Sequence, residues 1–224
     1  GYDPIIVPGG KITFGFGEHG WTTRAEVSDP RLVPSGHLND PLTHPAVDIL
    51  APLGTEVDAF ADGTVTLAAF NASLGWYVVI HHTGSSAPSV AGGQDFYTLS
   101  AHLQNKPLVG VGATVSTGQQ IGEVGTTGNE QGVGPGEGLL HFEIRLFPNL
   151  LHPQEWLAWD LPRPGGAATN IYIYGHLDDD QLRADPTNSG HGYINPEKFL
   201  EGEAGNTVNP VNLLGVAVDA PHLW

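Results

Sequence analysis

Short apolar segments separated by glycine- and proline-rich turns run through residues 44–146 and limit the folds open to this chain. The 224 residues include 31 glycines and 18 prolines, which favour tight turns over long helices. Apolar segments at such short spacing predict an all-β fold of many short strands. The predicted strands are Lys11–Gly17, Val47–Pro52, Thr55–Phe60, Thr64–Phe70, Gly75–His82, Asp95–Leu103 and Gln119–Val124.

Residues 138–146 alternate most clearly and predict one further strand. We expect Phe142, Ile144 and Leu146 on one face of this strand and His141, Glu143 and Arg145 on the other. A glycine-rich stretch, residues 132–138, leads into it. This arrangement is typical of a strand that enters a cleft with a histidine on its polar face.

Two side chains upstream make His141 a candidate metal ligand. His44 and Asp48 are close in sequence, and Pro45 excludes a regular helix between them. Alone, a strand histidine is most often a hydrogen-bonded structural residue, and an aspartate here a turn cap. Together, two histidines and one aspartate are the ligand set of an open zinc site with a fourth position for water. Because the chain has no cysteine, any metal site must use histidines and carboxylates.

Charge and composition exclude several classes of partner. The formal net charge is −16, with eight lysines and arginines in total, whereas nucleic acids and anionic membranes attract basic surfaces. No apolar run has the length of a membrane span. The absence of methionine, even at position 1, leads us to expect an exported chain whose signal peptide is removed, located outside the cell or in the periplasm.

The length allows one domain with an appendage. The composition changes after Leu146, so we predict one domain over residues 1–160 and a loop-rich C-terminal appendage of unknown role over residues 161–224. Prolines punctuate residues 18–43, which predict a long loop forming one wall of the cleft. Residues 83–94 predict a flexible loop.

Four motifs, in order, resemble the lysostaphin-type, LytM-like family of zinc metalloendopeptidases. They are His44-Pro-Ala-Val-Asp48, Ser100-Ala-His102-Leu, Gly125-Thr-Thr-Gly128 and His141-Phe-Glu. The resemblance runs from about Ile12 to Leu157. It implies a LytM-like β-sheet groove domain of the duplicated hybrid motif type that holds one zinc ion.

The resemblance also implies roles for individual residues. His44, Asp48 and His141 are the implied zinc ligands, and His102 is the implied catalytic residue beside the metal, on the strand face that Ser100 shares. Family members cut peptide bonds of bacterial cell-wall peptidoglycan. Zinc polarises the scissile carbonyl and lowers the pKa of its bound water toward about 7. We therefore expect an exported zinc metalloendopeptidase whose partner is peptidoglycan peptide.

Two positions depart from the family pattern. Leu139 stands where the family has a second catalytic histidine, and Ser100 stands where it has a tyrosine. Leucine can neither move a proton nor donate a hydrogen bond, so we expect hydrolysis to be weakened. The remaining histidines are expected to be structural or exposed, with His82 in strand packing, unless one folds back into the gap. The candidates for that position are His19, His37, His81 and His176.

Two other functions stay open. The first is a zinc-binding but catalytically silent LytM-like module with a wall-binding, regulatory or structural role. The second is a lipoyl or biotinyl carrier domain, which also has short strands and glycine turns. A carrier needs a lysine at a hairpin tip, and none of the three lysines lies beside the Asp62-Gly63 turn.

Overall fold

The computed structural model describes residues 1–16, 19–23, 41–44, 46–129, 133–146 and 193–201, with backbone alone for 19–23, 41–43 and 193. Within them the chain forms twelve β-strands, one short α-helix and one 3-10 turn, so the all-β prediction is confirmed. No helix in these ranges is long and apolar enough to cross a membrane. The first six strands are β1 (Lys11–Phe14), β2 (His19–Thr23), β3 (Pro41–Thr43), β4 (Val47–Pro52), β5 (Glu56–Asp58) and β6 (Gly63–Asn71). The others are β7 (Gly75–His82), β8 (Phe96–Leu103), β9 (Thr114–Val115), β10 (Gln120–Glu123), β11 (Glu137–Arg145) and β12 (Tyr193–Ile194).

Strand β11 is an interior strand of the eight-stranded sheet, in which seven strands follow the order β1-β4-β11-β8-β7-β6-β9 and the eighth, β12, pairs with β11. It pairs with β8 on one side and β4 on the other, antiparallel in both cases. Strand β12 pairs with Ile144 and Arg145, the last residues of β11, which extend past the first residue of β4. Because β11 has neighbours on both sides, its side chains are held in a well-defined register.

The two faces of β11 bury different chemistry. Leu140, Phe142 and Ile144 point into the main apolar core, and Leu146 packs against it. Phe142 lies 5.8 Å from Phe60, ring centroid to ring centroid, and burying such a ring contributes roughly 1.5–3 kcal/mol. The predicted alternation is confirmed. However, the polar face is buried too, since Glu143 and Arg145 have no exposed surface.

Two predicted loops contain regular structure. Within the segment predicted as one long loop, β2 pairs with β3; residues 24–40 between them lie outside the described residues. Within the predicted loop 83–94, a helix α1 spans Pro88–Ala91. Proline at a first helical position and Gly92 in the left-handed conformation as the cap explain both of its ends.

Residues 193–201 complete the same sheet and core. Ile194 and Leu200 are buried in the main core, and the Glu201 amide donates to the Pro4 carbonyl at 2.7 Å. A 3-10 turn, Pro196–Lys198, begins after Asn195, whose side chain caps it. A boundary at residues 160/161 stays a prediction, and most of the predicted appendage lies outside the described residues.

Candidate metal centre

The register of β4 and β11 brings three candidate ligands together. Asp48 pairs with His141 across the two strands, and His44 lies three residues before the first residue of β4. One ligand atom from each of His44, Asp48 and His141 lies within 4.8 Å of the other two. His44 is fully buried and His141 nearly so, while the Asp48 side chain is 15% exposed. The cluster therefore opens to solvent on the Asp48 side.

His44 is oriented from behind by the backbone. Its Nδ1 donates to the Gly15 carbonyl at 3.0 Å, and its ring lies edge-on against Phe14. Since a carbonyl only accepts hydrogen bonds, Nδ1 carries the hydrogen. The other nitrogen, Nε2, lies 3.3 Å from Asp48 Oδ1. A metal ion would therefore meet Nε2 of His44.

His141 faces Asp48 with Nδ1, whereas His44 faces it with Nε2. Its Nδ1 lies 3.1 Å from Asp48 Oδ1, and its Nε2 lies 2.8 Å from Glu143 Oε1. Arg145 Nε donates to the second oxygen of Glu143 at 3.0 Å, and Arg145 Nη2 contacts the same oxygen. The hydrogen bonds from Arg145 to Glu143 and between Glu143 and His141 engage Nε2 of His141, so its Nδ1 is the nitrogen that faces Asp48. A histidine that is backed by a carboxylate in this way is typical of a metal ligand.

The charges of this cluster are strongly coupled. Burial lowers the pKa of His141, but hydrogen bonds to Asp48 and Glu143 outweigh it and raise the pKa to about 9. Burial likewise opposes the charged form of Asp48, yet His44 and His141 hold its pKa well below the ordinary range. The metal-free cluster thus keeps a proton on His141, and a metal ion must displace that proton to bind.

His102 reaches this face through a β-bulge. Ala101 pairs with His141, so strict alternation would put His102 on the opposite face with Ser100. The β7–β8 register shifts between Trp76 and Val78, and among the described non-glycine residues His102 alone has a positive φ, 61°. Its ring centroid lies 5.9 Å from that of His141. The prediction that His102 shares a face with Ser100 is therefore wrong, because the bulge reverses its direction.

Comparison with known proteins supplies the family. The model of peptidase family M23 matches residues 42–153, which is half of the chain. The chain belongs to peptidase family M23. The matched range contains His44, Asp48, His102 and His141, so the LytM-like resemblance is confirmed at the level of the family.

Curated relatives of this M23 chain share part of their length with it. Murein hydrolase activator EnvC of Escherichia coli K12 is 41% identical over 104 residues, covering 46% of this chain and 21% of EnvC. Peptidoglycan DD-endopeptidase ShyC of Vibrio cholerae is 36% identical over 89 residues, covering 40% of this chain and 18% of ShyC. The solved structure of a zinc-containing peptidase from Vibrio cholerae is similar to this chain, with 30% sequence identity and a TM-score of 0.40. The match covers 60% of this chain and 32% of the chain of that peptidase. The chain thus spans about a fifth of the length of these two curated relatives.

The M23 chain has an apolar pair next to the candidate ligands. Leu139 pairs with Leu50 on β4, two residues along from the pair His141 and Asp48. Both leucines are partly buried, and the Leu139 amide donates to the Gly125 carbonyl at 2.9 Å. Leu139 therefore lies on the face of the metal cluster, as the alternation predicts.

None of the described histidine side chains beyond the cluster and His102 fills the place of a second catalytic histidine. His81 bonds to Asp95 at 2.9 Å and stacks on Tyr97, which pairs with Arg145 rather than with His141. His82 is fully buried and stacks on Phe96, in agreement with the predicted strand packing. The His19 side chain, His37 and His176 lie outside the described residues.

Three residues of this M23 site were not recognised from sequence. Glu143 and Arg145 form the buried support of His141, and Thr127 accepts a hydrogen bond from His102 Nδ1 at 2.8 Å. Alternation places Glu143 and Arg145 on the face of His141, so the proximity of these three side chains was accessible from the sequence, although their burial was not. Thr127 was not, because its contact depends on the bulge.

Proposed function

We propose that this domain is a zinc endopeptidase that hydrolyses peptide bonds of bacterial peptidoglycan. His44, Asp48 and His141 hold the metal, and His102 assists the reaction. The single observation that carries the proposal is the convergence of three donor atoms within 4.8 Å of one another where β4 pairs with β11. Membership in a peptidase family and similarity to a peptidoglycan DD-endopeptidase support the reaction class.

The donor set fits zinc. Two imidazole nitrogens and one carboxylate oxygen are the protein ligands of hydrolytic zinc sites, which keep a further position open. Zinc, when bound, polarises the scissile carbonyl and activates water at neutral pH. The residues of the chain have the remaining tasks: Gly15 and Glu143 orient the two imidazoles, and Asp48 faces the solvent side where substrate enters.

His102 is suited to accept a proton. Burial, together with the neighbouring His141, lowers its pKa to about 4, so the imidazole is neutral at pH 7. Its Nδ1 is engaged by the Thr127 carbonyl, which leaves Nε2 with a lone pair. A neutral imidazole at this place takes a proton from the attacking water and returns it to the leaving amine.

The substrate we propose lies outside the cytoplasm, where peptidoglycan is found. The net charge of −16 gives no long-range attraction to an anionic wall, so recognition must be local to the cleft. We assign the chain no nucleic-acid or membrane partner. Leu139, which pairs with Leu50, stands where the family pattern has a second catalytic histidine, and its expected effect is slower proton transfer.

Turnover on purified peptidoglycan and on a cross-linked muropeptide tests the proposal. The protein should release new amino termini, lose this activity with a chelator, and regain it with stoichiometric zinc. Asp48→Asn should abolish turnover, whereas Asp95→Asn, at an exposed carboxylate that also contacts a histidine, should leave it unchanged. Turnover that survives chelation, or that survives in Asp48→Asn, contradicts the proposal.

A second candidate function is a metal-binding module that does not hydrolyse. Leu139 favours it, since among the described residues one proton-transferring histidine, His102, lies near the ligands instead of two. The similarity to EnvC, whose name describes a murein hydrolase activator, points the same way. Zinc binding without turnover, combined with stimulation of a separate murein hydrolase, would favour this function over the first.

A further inference from the structure

The Gly125–Gly128 loop has no part in metal binding, yet Thr127 within it contacts the backbone around His102. The Thr127 hydroxyl donates to the Leu103 carbonyl at 2.6 Å and accepts from the Trp76 amide at 3.0 Å. Trp76 and Leu103 are opposite each other on β7 and β8, next to the bulge. The hydroxyl therefore joins the two strands where their register is broken.

The same residue bonds directly to the His102 ring. The Thr127 carbonyl accepts from His102 Nδ1 at 2.8 Å. The His102 amide, in turn, donates to the Leu74 carbonyl at 2.8 Å, in the turn between β6 and β7. Thr127 thus holds together the two strands beside the bulge, and it also sets the tautomer of the His102 imidazole.

Glycines let the loop approach the turn closely. A Cβ at Gly75 would lie 2.2 Å from Thr127 Oγ1, and one at Gly128 would lie 2.2 Å from the Gly75 amide nitrogen. Both residues have positive φ, 64° and 82°. Because the backbones touch, Thr127 has little freedom to move relative to the strand end that carries His102.

We propose that Thr127 is a positioning residue for His102. Its hydroxyl seats the loop at the bulge, and its carbonyl keeps the imidazole in the Nδ1–H tautomer with Nε2 available for proton transfer. This role rests on the proposed part of His102 in hydrolysis, and it assigns a task to the Gly-Thr-Thr-Gly motif. The hydrogen bonds of Thr127 join it to Trp76, His102 and Leu103 rather than to any of the three candidate ligands, so it should affect His102 without affecting metal affinity.

Three variants isolate the hydroxyl. Thr127→Val removes it while keeping the branched shape, and Thr127→Ser keeps it. Thr66→Val is the matched control, because the Thr66 hydroxyl also donates to a strand carbonyl, that of Val79, with no link to His102. Each zinc-loaded 224-residue protein is compared by nitrogen-15 NMR of the His102 ring, by zinc affinity in chelator competition, and by kcat and KM on a cross-linked muropeptide.

We expect the wild type, Thr127→Ser and Thr66→Val to show His102 protonated at Nδ1, with zinc affinity unchanged in all variants. Thr127→Val should lose this signature and lower kcat at least about tenfold with little change in KM, since small misplacements of a reacting group are costly. A signature or kcat in Thr127→Val equal to that of Thr66→Val overturns the role. An equal loss in Thr127→Ser, or a parallel loss of zinc affinity, also overturns it.

Two further outcomes keep the test decisive. If Thr127→Val does not fold, the wild type alone decides, because a His102 ring protonated at Nε2 instead of Nδ1 overturns the proposal. If the wild type shows no turnover, the proposed hydrolysis fails, whereas the ring signature and its loss in Thr127→Val still establish or overturn the positioning by Thr127.

Discussion

At the scale of single residues, the Glu143 and Arg145 side chains that support His141 are fully buried. Glu143 receives hydrogen bonds from both His141 and Arg145 and has no contact with solvent. Removing one partner of a buried ion pair typically costs about 3–5 kcal/mol, because the other charge is left without compensation. The arrangement therefore links the ligand geometry to the stability of the sheet.

Glu143→Gln should lower the free energy of unfolding of the metal-free protein by about 3–5 kcal/mol, as measured in urea. It should also weaken zinc binding by about 10–100-fold, because the carboxylate that orients His141 is lost. Glu137→Gln, at the exposed end of the same strand, is the control and should change stability by less than about 0.5 kcal/mol. Similar effects of the two substitutions would contradict the assignment.

His82 makes a separate contribution that depends on pH. Burial lowers its pKa to about 4, although its Nδ1 bonds to the Asp62 carbonyl and its Nε2 to Thr98. A histidine with a lowered pKa in the folded state contributes stability that is present above its unfolded pKa of about 6.5 and is lost as the pH falls toward 4. Over this range the loss is roughly 3 kcal/mol.

Comparison with His82→Gln isolates this contribution from the other titrating groups. Glutamine takes up no proton, so the difference in unfolding free energy between wild type and variant should shrink as the pH falls from 7 to 4. Urea denaturation at four pH values in this range measures it. If the difference in unfolding free energy between wild type and His82→Gln stays constant with pH, the His82 ring has the same pKa in the folded and unfolded states, and the prediction is wrong.

At the scale of elements, strand β11 and its neighbours follow from the sequence, and the bulge in β8 does not. The period of two in residues 140–146 places Phe142 in the core and His141 opposite it, and the structure has both there. The same period misplaced His102, because a bulge adds one residue to a strand without a strong local signal when that residue is not glycine. Burial of Glu143 was likewise not predicted, since it depends on what covers the sheet.

The turn between β6 and β7 provides a test of how tightly the bulge is enclosed. Gly75→Ala should destabilise the fold by clearly more than Gly136→Ala. Both glycines have positive φ, which costs alanine about 1 kcal/mol or more, but only at Gly75 would the new Cβ meet another backbone, that of Thr127. Gly136 has open space around it. Thermal unfolding of both variants measures the difference, and equal losses would show that the turn and the loop are not in close contact.

At the scale of the whole molecule, the candidate metal centre joins segments far apart in the chain. Asp48 and His141 belong to adjacent interior strands, and the His44 side chain is hydrogen-bonded to Gly15, in the segment that follows β1. These segments form one sheet with a common core. A metal ion bound by all three residues would therefore oppose the separation of β4 from β11, the step that opens the centre of the sheet.

Zinc should for this reason stabilise the entire domain. A ligand that binds only the folded state adds about 2.7 kcal/mol to the free energy of unfolding when its free concentration is about 100 times its Kd. The gain should be lost with a chelator, absent in Asp48→Asn, and not reproduced by magnesium, which prefers an octahedral shell of oxygen ligands. Because protons compete for His141, whose pKa is about 9 without metal, the gain should also fall as the pH is lowered from 8 to 6. Calorimetric unfolding with and without zinc measures each of these changes, and an equal zinc response in Asp48→Asn would place the metal elsewhere.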